Sequence, residues 1–118
     1  MANEITCRAI LSFLKSGVDA KLELPATTFD MTGSDYASGT LTATTDETAL
    51  ALPGSQTEGW LMIVNRSADT NVLVGTSGGA HNYGAAPGGV FIGYCGVAGI
   101  TYKTASGSAI FEFLLLEA

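Results

Sequence analysis

The sequence predicts an all-β fold, an antiparallel β-sandwich of jelly-roll type that forms a single domain over residues 1–118. Two features predict it: strict alternation of apolar and polar residues in the first segment, and many short strand-like runs separated by turn-forming residues. No window carries the 3.6-residue apolar repeat of an amphipathic helix. A chain of 118 residues is long enough for one core and too short for two.

The first segment predicts a β-hairpin. Apolar residues occupy the odd positions from Ile5 to Phe13 and the even positions from Val18 to Leu24. A two-residue turn at Ser16-Gly17 explains this change of phase, because it pairs Leu11 with Leu22 and brings the apolar side chains to one face. We expect that face to lie in the core of the protein.

Eight further short runs follow Pro25, which is expected to close the hairpin. They are rich in Thr, Val, Ile and aromatic residues, which suit a pleated sheet, and they span residues 27–31, 40–44, 48–52, 60–65, 71–74, 90–94, 100–104 and 109–116. Turn-forming residues separate them at 32–35, 53–55, 67–69 and 106–108. Within a Gly-rich stretch, 75–89, residues 76–84 are expected to form a long mobile loop. That loop is either a plain surface connection or a contact loop that orders on binding.

The composition argues against two classes of function. Hydrophobic residues make up 47% of the chain and charged residues only 14%, yet the longest apolar runs hold four or five residues, far short of the ~20 that a membrane-spanning helix needs. The net charge is −6, and the cations do not cluster as binding to nucleic acid requires. Mean hydropathy is nevertheless positive, at +0.32. Burial against partner chains explains this apolar composition better than a membrane does.

The start of the sequence and the two cysteines predict a cytoplasmic site of synthesis. Residues 1–8 lack the basic region and apolar run of a secretory signal peptide. Cys7 and Cys95 are then expected to be reduced, buried small hydrophobic residues, although a disulfide between them stays open at this stage.

The chain is expected not to be an enzyme, with no catalytic, cofactor-binding or metal-binding residues. Residues 75–79 match the G-x-S-x-G pattern of a hydrolase nucleophile, which needs a strand–turn–helix setting and an acid between serine and histidine. The only histidine, His81, lies four residues after Ser77 with no acid between them, and it is expected to be an exposed loop residue. The absence of any cation between Arg66 and Lys103 also argues against a phosphate-binding loop.

Other candidate ligands have plainer explanations. Asp30 with Asp35, or Asp46 with Glu47, could contribute to a calcium site, but their spacing fits no calcium loop and we expect solvated surface acids. Asn65-Arg66-Ser67 has the pattern of a glycosylation acceptor in a chain without a secretion signal.

Residues 59–75, GWLMIVNRSADTNVLVG, resemble a pattern in short structural proteins of tailed bacteriophages. In that pattern a strand ending in Asn leads through a polar turn to Thr-Asn and a second strand ending in Gly. The strand-rich start and the apolar closing strand are similar as well. The chain departs from the pattern after its second hairpin, where it has Pro87-Gly88-Gly89 in place of Pro-Gly-Glu.

The resemblance implies a virion protein that is assembled in the host cytoplasm, with capsid decoration (cement) as the favoured role. Its partners would be the major capsid protein or other virion proteins. A head–tail or tail component is the alternative within the virion. A small carbohydrate-binding sandwich is an alternative outside it, with Tyr36, Tyr83 and Tyr102 as candidate sugar-stacking residues.

The sequence also predicts a homo-oligomer, with a trimer favoured because the resemblance implies three-fold sites on a capsid. Ile10 and Leu14 lie on the otherwise polar face of the first hairpin, and the closing run 110–116 is apolar on both faces. One face of that run can pack in the core of the subunit, whereas the other needs cover.

Overall fold

The computed structural model describes residues 4–31, 33–50, 52, 57–96 and 99–117, and their regular structure consists entirely of β-strands. All strand pairs are antiparallel, which confirms the prediction of an all-β, antiparallel fold. The strands are β1 Ile5–Lys15, β2 Val18–Phe29, β3 Tyr36–Ala43, β4 Thr48–Ala49, β5 Glu58–Asn65, β6 Val72–Thr76, β7 Tyr83–Ala85, β8 Val90–Tyr94, β9 Ile100–Lys103 and β10 Ala109–Glu117. The chain divides into two compact units, residues 1–32 and 33–118. The prediction of a single domain stays a prediction.

The first unit is a long hairpin, β1–β2, with the predicted register. Leu11 lies opposite Leu22 and Ser12 opposite Lys21. Ser16 and Gly17 have φ values of 52° and 79°. Positive φ at both central residues is what a type I′ turn requires, and this turn matches the right-handed twist of the flanking strands. The two-residue turn inferred from the change of phase is therefore confirmed.

The expectation that Pro25 closes this hairpin is wrong. β2 continues through Pro25 to Phe29, and the predicted run 27–31 belongs largely to the same strand. The register shifts between Cys7 and Ala9, where Pro25 and Ala26 together lie opposite the single residue Arg8. A bulge of this kind accommodates a proline, which has no N–H to donate to the ladder.

The expectation that the apolar face of the hairpin lies in the core holds for Ile5 and Cys7, which are buried, and is wrong for the longer part of that face. Leu11 and Leu22 are 78% and 79% exposed, and the residues from Ile10 to Ala26 are exposed without exception. Alternation specifies which residues share a face of a sheet. It does not specify a second layer to cover that face, and for this reason the register was predictable whereas the burial was not.

Leu11→Asp is accordingly expected to change the free energy of unfolding of the dilute protein by no more than about 0.5 kcal/mol, since an exposed side chain loses little packing. Had the face been buried, the same change would cost several kcal/mol. Urea denaturation monitored by circular dichroism measures the difference, with Ser12→Asp on the opposite face as the matched control. A loss of several kcal/mol in Leu11→Asp alone would contradict the exposed hairpin.

The second unit contains two four-stranded sheets. The front sheet has the strand order β3-β10-β5-β8 and the back sheet the order β4-β9-β6-β7. Buried side chains from both sheets form one core cluster: Ala43, Leu50, Leu52, Leu61, Ile63, Val72, Val74, Ala85, Ile100, Tyr102, Ala109, Phe111 and Leu115. The sheets therefore bury their apolar side chains against each other.

β10 has the two apolar faces that the sequence predicted. Phe111 and Leu115 are fully buried on the core side. Ile110 and Leu114, on the other side, are 52% and 43% exposed. The strand is central in the front sheet, with β3 and β5 as neighbours, so both of its edges are paired while one of its faces is open.

The predicted strands agree with the structure where apolar residues are dense, and they disagree with it where glycines are frequent. The predicted runs 60–65, 90–94 and 100–104 coincide closely with β5, β8 and β9. β7 begins inside the segment 76–84 that was predicted to be a mobile loop. Gly84 forms part of this strand, and a Cβ there would collide with the carbonyl oxygen of Val72 on β6. The predicted turn at 53–55 lies outside the described residues.

Candidate functional site

The structure presents two exposed apolar surfaces, one in each unit. The first is the hairpin face that carries Leu11 and Leu22. Its exposed side chains are Leu11, Phe13, Val18, Ala20, Leu22 and Leu24. These side chains share one face because the odd positions of β1 pair with the even positions of β2. We call this surface the hairpin face.

The second surface is the side of the front sheet that points away from the core of its unit, here called the outer face. Met62 pairs with Ile92 on one side, and Leu114 is the partner of Met62 on the other. These three residues form a row across β8, β5 and β10, and all are exposed. The exposed apolar and aromatic side chains of the outer face are Tyr36, Met62, Val90, Ile92, Tyr94, Ile110 and Leu114. Monomeric proteins rarely leave contiguous patches of this kind to water.

A single ion pair lies within the outer face, as far as the described residues extend. Glu112 is on the same side of β10 as Leu114, and its carboxylate accepts a hydrogen bond from the Arg66 guanidinium. Both side chains are about half exposed. The Arg66 guanidinium balances the negative charge of Glu112, and both side chains remain in contact with solvent. Glu112 therefore adds no net charge to the apolar outer face.

A pocket of about 340 Å³ opens between the two sheets of the second unit. Leu61, Val74, Phe91, Cys95 and Ile100 contribute its apolar lining. Tyr83, Tyr94 and Asn82 also line it, and both tyrosine rings are more than half exposed. The volume lies at the lower end of the range of small-molecule sites.

The three tyrosines proposed as sugar-stacking residues have different environments. Tyr36 and Tyr83 are exposed, as stacking requires. Tyr102 is buried and packs edge-to-face on Phe111 with the ring centroids 4.9 Å apart, so its assignment as a sugar platform is wrong. Tyr94 escaped the sequence analysis. Its ring is exposed and lies edge-to-face with Trp60 at 5.7 Å.

The Gly-rich loop is ordered around His81, contrary to the expectation of an exposed histidine. The His81 side chain is only 2% exposed. Its Nδ1 lies 3.0 Å from the carbonyl oxygen of Gly79, and its Nε2 lies 2.8 Å from the hydroxyl of Thr101. A carbonyl only accepts, so Nδ1 donates to Gly79, and Nε2 forms the second hydrogen bond of the ring with the Thr101 hydroxyl. Residues 75–79 give no support to a nucleophile site, since β6 leads into a turn and not into a helix.

Glu47 fixes the same loop from the side of β4. Both of its carboxylate oxygens lie within 3.2 Å of the backbone nitrogen of Gly78, and Oε1 is 3.5 Å from Nε2 of His81. Glu47 was considered as a calcium ligand, and the structure assigns it to the loop. Among the described residues, no three His, Cys, Asp or Glu side chains are placed to hold a metal ion.

His81→Ala is expected to lower the free energy of unfolding by about 1 kcal/mol, because the hydrogen bonds of the buried ring to Gly79 and Thr101 are lost while the Thr101 hydroxyl keeps the Gly75 carbonyl as a partner. Urea denaturation measures this, with Ser77→Ala as the control. Ser77 is exposed, and its replacement is expected to be silent. Equal stability of the two variants would show that the histidine does not hold the loop.

Asn65 organises the turn between β5 and β6. The side chain is 1% exposed, and its amide donates to the carbonyl oxygens of Thr70 at 2.7 Å and Ala85 at 3.0 Å. The amide oxygen accepts from the backbone N–H of Ser67 at 2.9 Å. The Ser67 hydroxyl in turn accepts from the N–H of Thr70 at 3.2 Å. A side chain held in this way is not a glycosylation acceptor, and the distinctive Asn of the phage-like segment has a structural role.

Both cysteines have free thiols. Cys7 is buried as predicted, and Cys95 is half-buried in the lining of the pocket. Burial, and after it the nearby carboxylate of Glu58, raises the pKa of the Cys95 thiol. Both effects disfavour the thiolate.

The Cys95 thiol is therefore expected to react slowly with a disulfide reagent at neutral pH, because the thiolate is the attacking species. Measured in a Cys7→Ser background, the rate should rise with pH to a midpoint above that of an unperturbed cysteine. A midpoint at or below the ordinary value would contradict this environment.

No protein-family model, curated protein or solved structure matches the chain. The described residues include no helix that is long and apolar enough to cross a membrane.

The hairpin face was not predicted to be an exposed surface, and only the β10 part of the outer face was predicted. Ile10 and Leu14 were singled out as exposed, whereas Leu11 and Leu22 were assigned to the core. The available signal was the length of the alternation: β1 and β2 have 11 and 12 residues, longer than the usual five or six. Strands this long can extend beyond any layer that covers them.

Proposed function

We propose that the protein is a structural protein of a tailed-bacteriophage virion, and in particular a capsid decoration subunit that stabilises the head through protein–protein contacts. The observation that carries the proposal is the pair of exposed apolar surfaces, the hairpin face and the outer face. A subunit that works by contact needs such surfaces and does not need a reaction centre. Assembly in the bacterial cytoplasm is part of the proposal.

The residues of the phage-like segment support the proposal in a second way. The resemblance was carried by the stretch from Asn65 to Gly75. Asn65 joins two backbone positions of the β5–β6 turn, at Ser67 and Thr70, to a third on β7, at Ala85. Because side chains of this pattern fix a turn, the pattern depends on the fold around it. The pattern shared with the phage proteins therefore favours a shared architecture.

We also propose that the second unit is a β-sandwich of jelly-roll type. Its four characteristic strand pairs support this: β3 with β10, β4 with β9, β5 with β8, and β6 with β7. The pairs are nested around the β6–β7 hairpin, so that each strand before the hairpin pairs with the corresponding strand after it. This pattern arises when one long antiparallel hairpin, with four strands on each side, folds over into two sheets. Jelly rolls of this kind occur in viral capsid proteins and in lectins.

Co-sedimentation with phage heads tests the decoration role. Heads of the encoding phage that were assembled without this protein are mixed with the purified chain and pelleted. We expect the protein to pellet with the heads in a fixed ratio and to raise their resistance to heat. Protein that stays in the supernatant would contradict head decoration, and immunogold labelling of complete virions would then test the head–tail and tail alternatives.

A second candidate function, a carbohydrate-binding module, is favoured by one observation. Tyr83, Tyr94 and Asn82 all line the 340 Å³ pocket, and both tyrosines are exposed. Exposed aromatic rings and an amide at one pocket are suited to stacking on and hydrogen bonding with a sugar. A glycan array decides this candidate. Binding that is lost in Tyr83→Ala would favour it over decoration, and an array without signal would remove it.

A further inference from the structure

We propose that the hairpin face of one copy of this chain docks on the outer face of the front sheet of a second copy. The proposed function does not specify which surfaces two copies of the chain use to bind each other. In this inference the hairpin face is the donor surface and the outer face is the acceptor surface. The inference does not depend on a virion role, because it concerns the purified chain alone.

The hairpin needs cover from outside itself. An isolated two-stranded sheet is marginally stable in water and becomes stable when a face packs against another layer. From Ile10 to Ala26 every described side chain of the hairpin is exposed. Five large apolar side chains, Leu11, Phe13, Val18, Leu22 and Leu24, therefore occupy one open face.

The chain itself carries a surface of the matching kind. The outer face presents Met62, Ile92 and Leu114 in one row, with Val90, Tyr94 and Ile110 around them. A two-stranded ribbon laid across four strands would form a second sheet layer over these side chains, as apolar sheet faces do elsewhere. Every copy of the chain that carries a hairpin face also carries an outer face. The partner that covers the hairpin is therefore a second copy of the chain.

Charge favours the same pairing. The first unit, residues 1–32, holds three of the five cations, Arg8, Lys15 and Lys21, against four acids, and its net charge is −1. Residues 33–118 hold two cations and seven acids, with a net charge of −5. Contact between two units of charge −5 is opposed more strongly by repulsion than contact between the first unit of one copy and the second unit of another.

Area favours exchange between copies over attachment to a single unrelated surface. The exposed part of the hairpin is roughly 25 Å long and about 10 Å wide, from the rise per residue and the strand spacing. One face of that size, about 250 Å², is far below the ~800 Å² that each partner buries in a standard interface. In an exchange every copy gives one hairpin and receives another, so each copy buries about 500 Å² and the pair about 1,000 Å², which is the lower limit for a specific interface. Donor and acceptor are different surfaces, so the contact gives a mutual dimer or a ring where the rotation between copies closes and an open filament where it does not.

The experiment uses two variants of the full chain. The donor variant, Leu11→Asp with Leu22→Asp, places two charges on the hairpin face. The acceptor variant, Ile92→Asp with Leu114→Asp, places two charges on the outer face. The matched control, Thr6→Asp with Ser12→Asp, adds the same charge to the opposite face of β1. All six positions are exposed, and circular dichroism with thermal unfolding verifies that each variant keeps its fold.

Light scattering on the purified proteins gives the result. The wild type and the control are expected to be oligomers, whereas each variant alone should fall to the 12.1 kDa mass of one chain. An equimolar mixture of the two variants at high concentration should form a 1:1 complex, because the mixture retains one intact donor and one intact acceptor. A monomeric wild type, an oligomeric donor variant, or a mixture without complex would each overturn the proposal. Failure of the wild type to bind heads would contradict the virion role and leave this result untouched.

Discussion

Replacing Phe111 by alanine is expected to lower the free energy of unfolding by about 3 to 5 kcal/mol, the usual cost of removing a fully buried phenylalanine. Phe111 has no exposed surface, and it lies on β10 between β3 and β5. Its ring packs edge-to-face on Tyr102 of the back sheet at 4.9 Å and lies 6.2 Å from that of Phe113. The truncation removes contacts across both sheets and leaves a cavity that rigid strands cannot fill.

The matched control for this prediction is Phe13→Ala. Phe13 is the same residue type on a strand, but it lies on the hairpin and is half exposed. Urea denaturation at low protein concentration should give a cost for Phe13→Ala far below that for Phe111→Ala. Equal costs would mean that the hairpin is packed as tightly as the core, contrary to the exposed hairpin face.

Replacing Asn65 by alanine is expected to cost about 3 kcal/mol, which is large for the loss of a few polar atoms. Three hydrogen bonds are lost, and the carbonyls of Thr70 and Ala85 lose their amide donor. The cost of buried polar groups left without partners exceeds the net gain from forming the bonds. Thermal or urea unfolding measures the effect.

Asn71→Ala provides the comparison for Asn65→Ala. Asn71 belongs to the same phage-like segment but is exposed, and its replacement should change stability by no more than about 0.5 kcal/mol. Similar losses in both variants would mean that the turn does not depend on the Asn65 amide.

The hairpin shows which parts of the structure follow from local sequence. The phase change at Ser16-Gly17 was sufficient to predict the turn and the pairing of Leu11 with Leu22, because the two-residue side-chain period of a strand ties register to pattern. Burial of Leu11 could not be predicted in this way. It depends on whether another layer covers the sheet, and residues distant in sequence decide that.

The loop around His81 and the turn around Asn65 were beyond prediction for a related reason. The partners of His81 are the nearby Gly79 and the distant Thr101, and Asn65 reaches Ala85 across 20 residues. Polar residues next to glycines are typical of exposed turns. Only the approach of another strand, here β9 or β7, turns such a residue into a buried anchor.

Amide hydrogen exchange along the hairpin tests most directly whether this chain works through its exposed apolar surfaces. The measurement compares residues 10–26 in dilute protein and in the associated state, whether at high concentration or on phage heads. We predict rapid exchange in the dilute protein and marked protection on association, with β10 protected in both states. Protection of these residues that does not change on association would contradict the account.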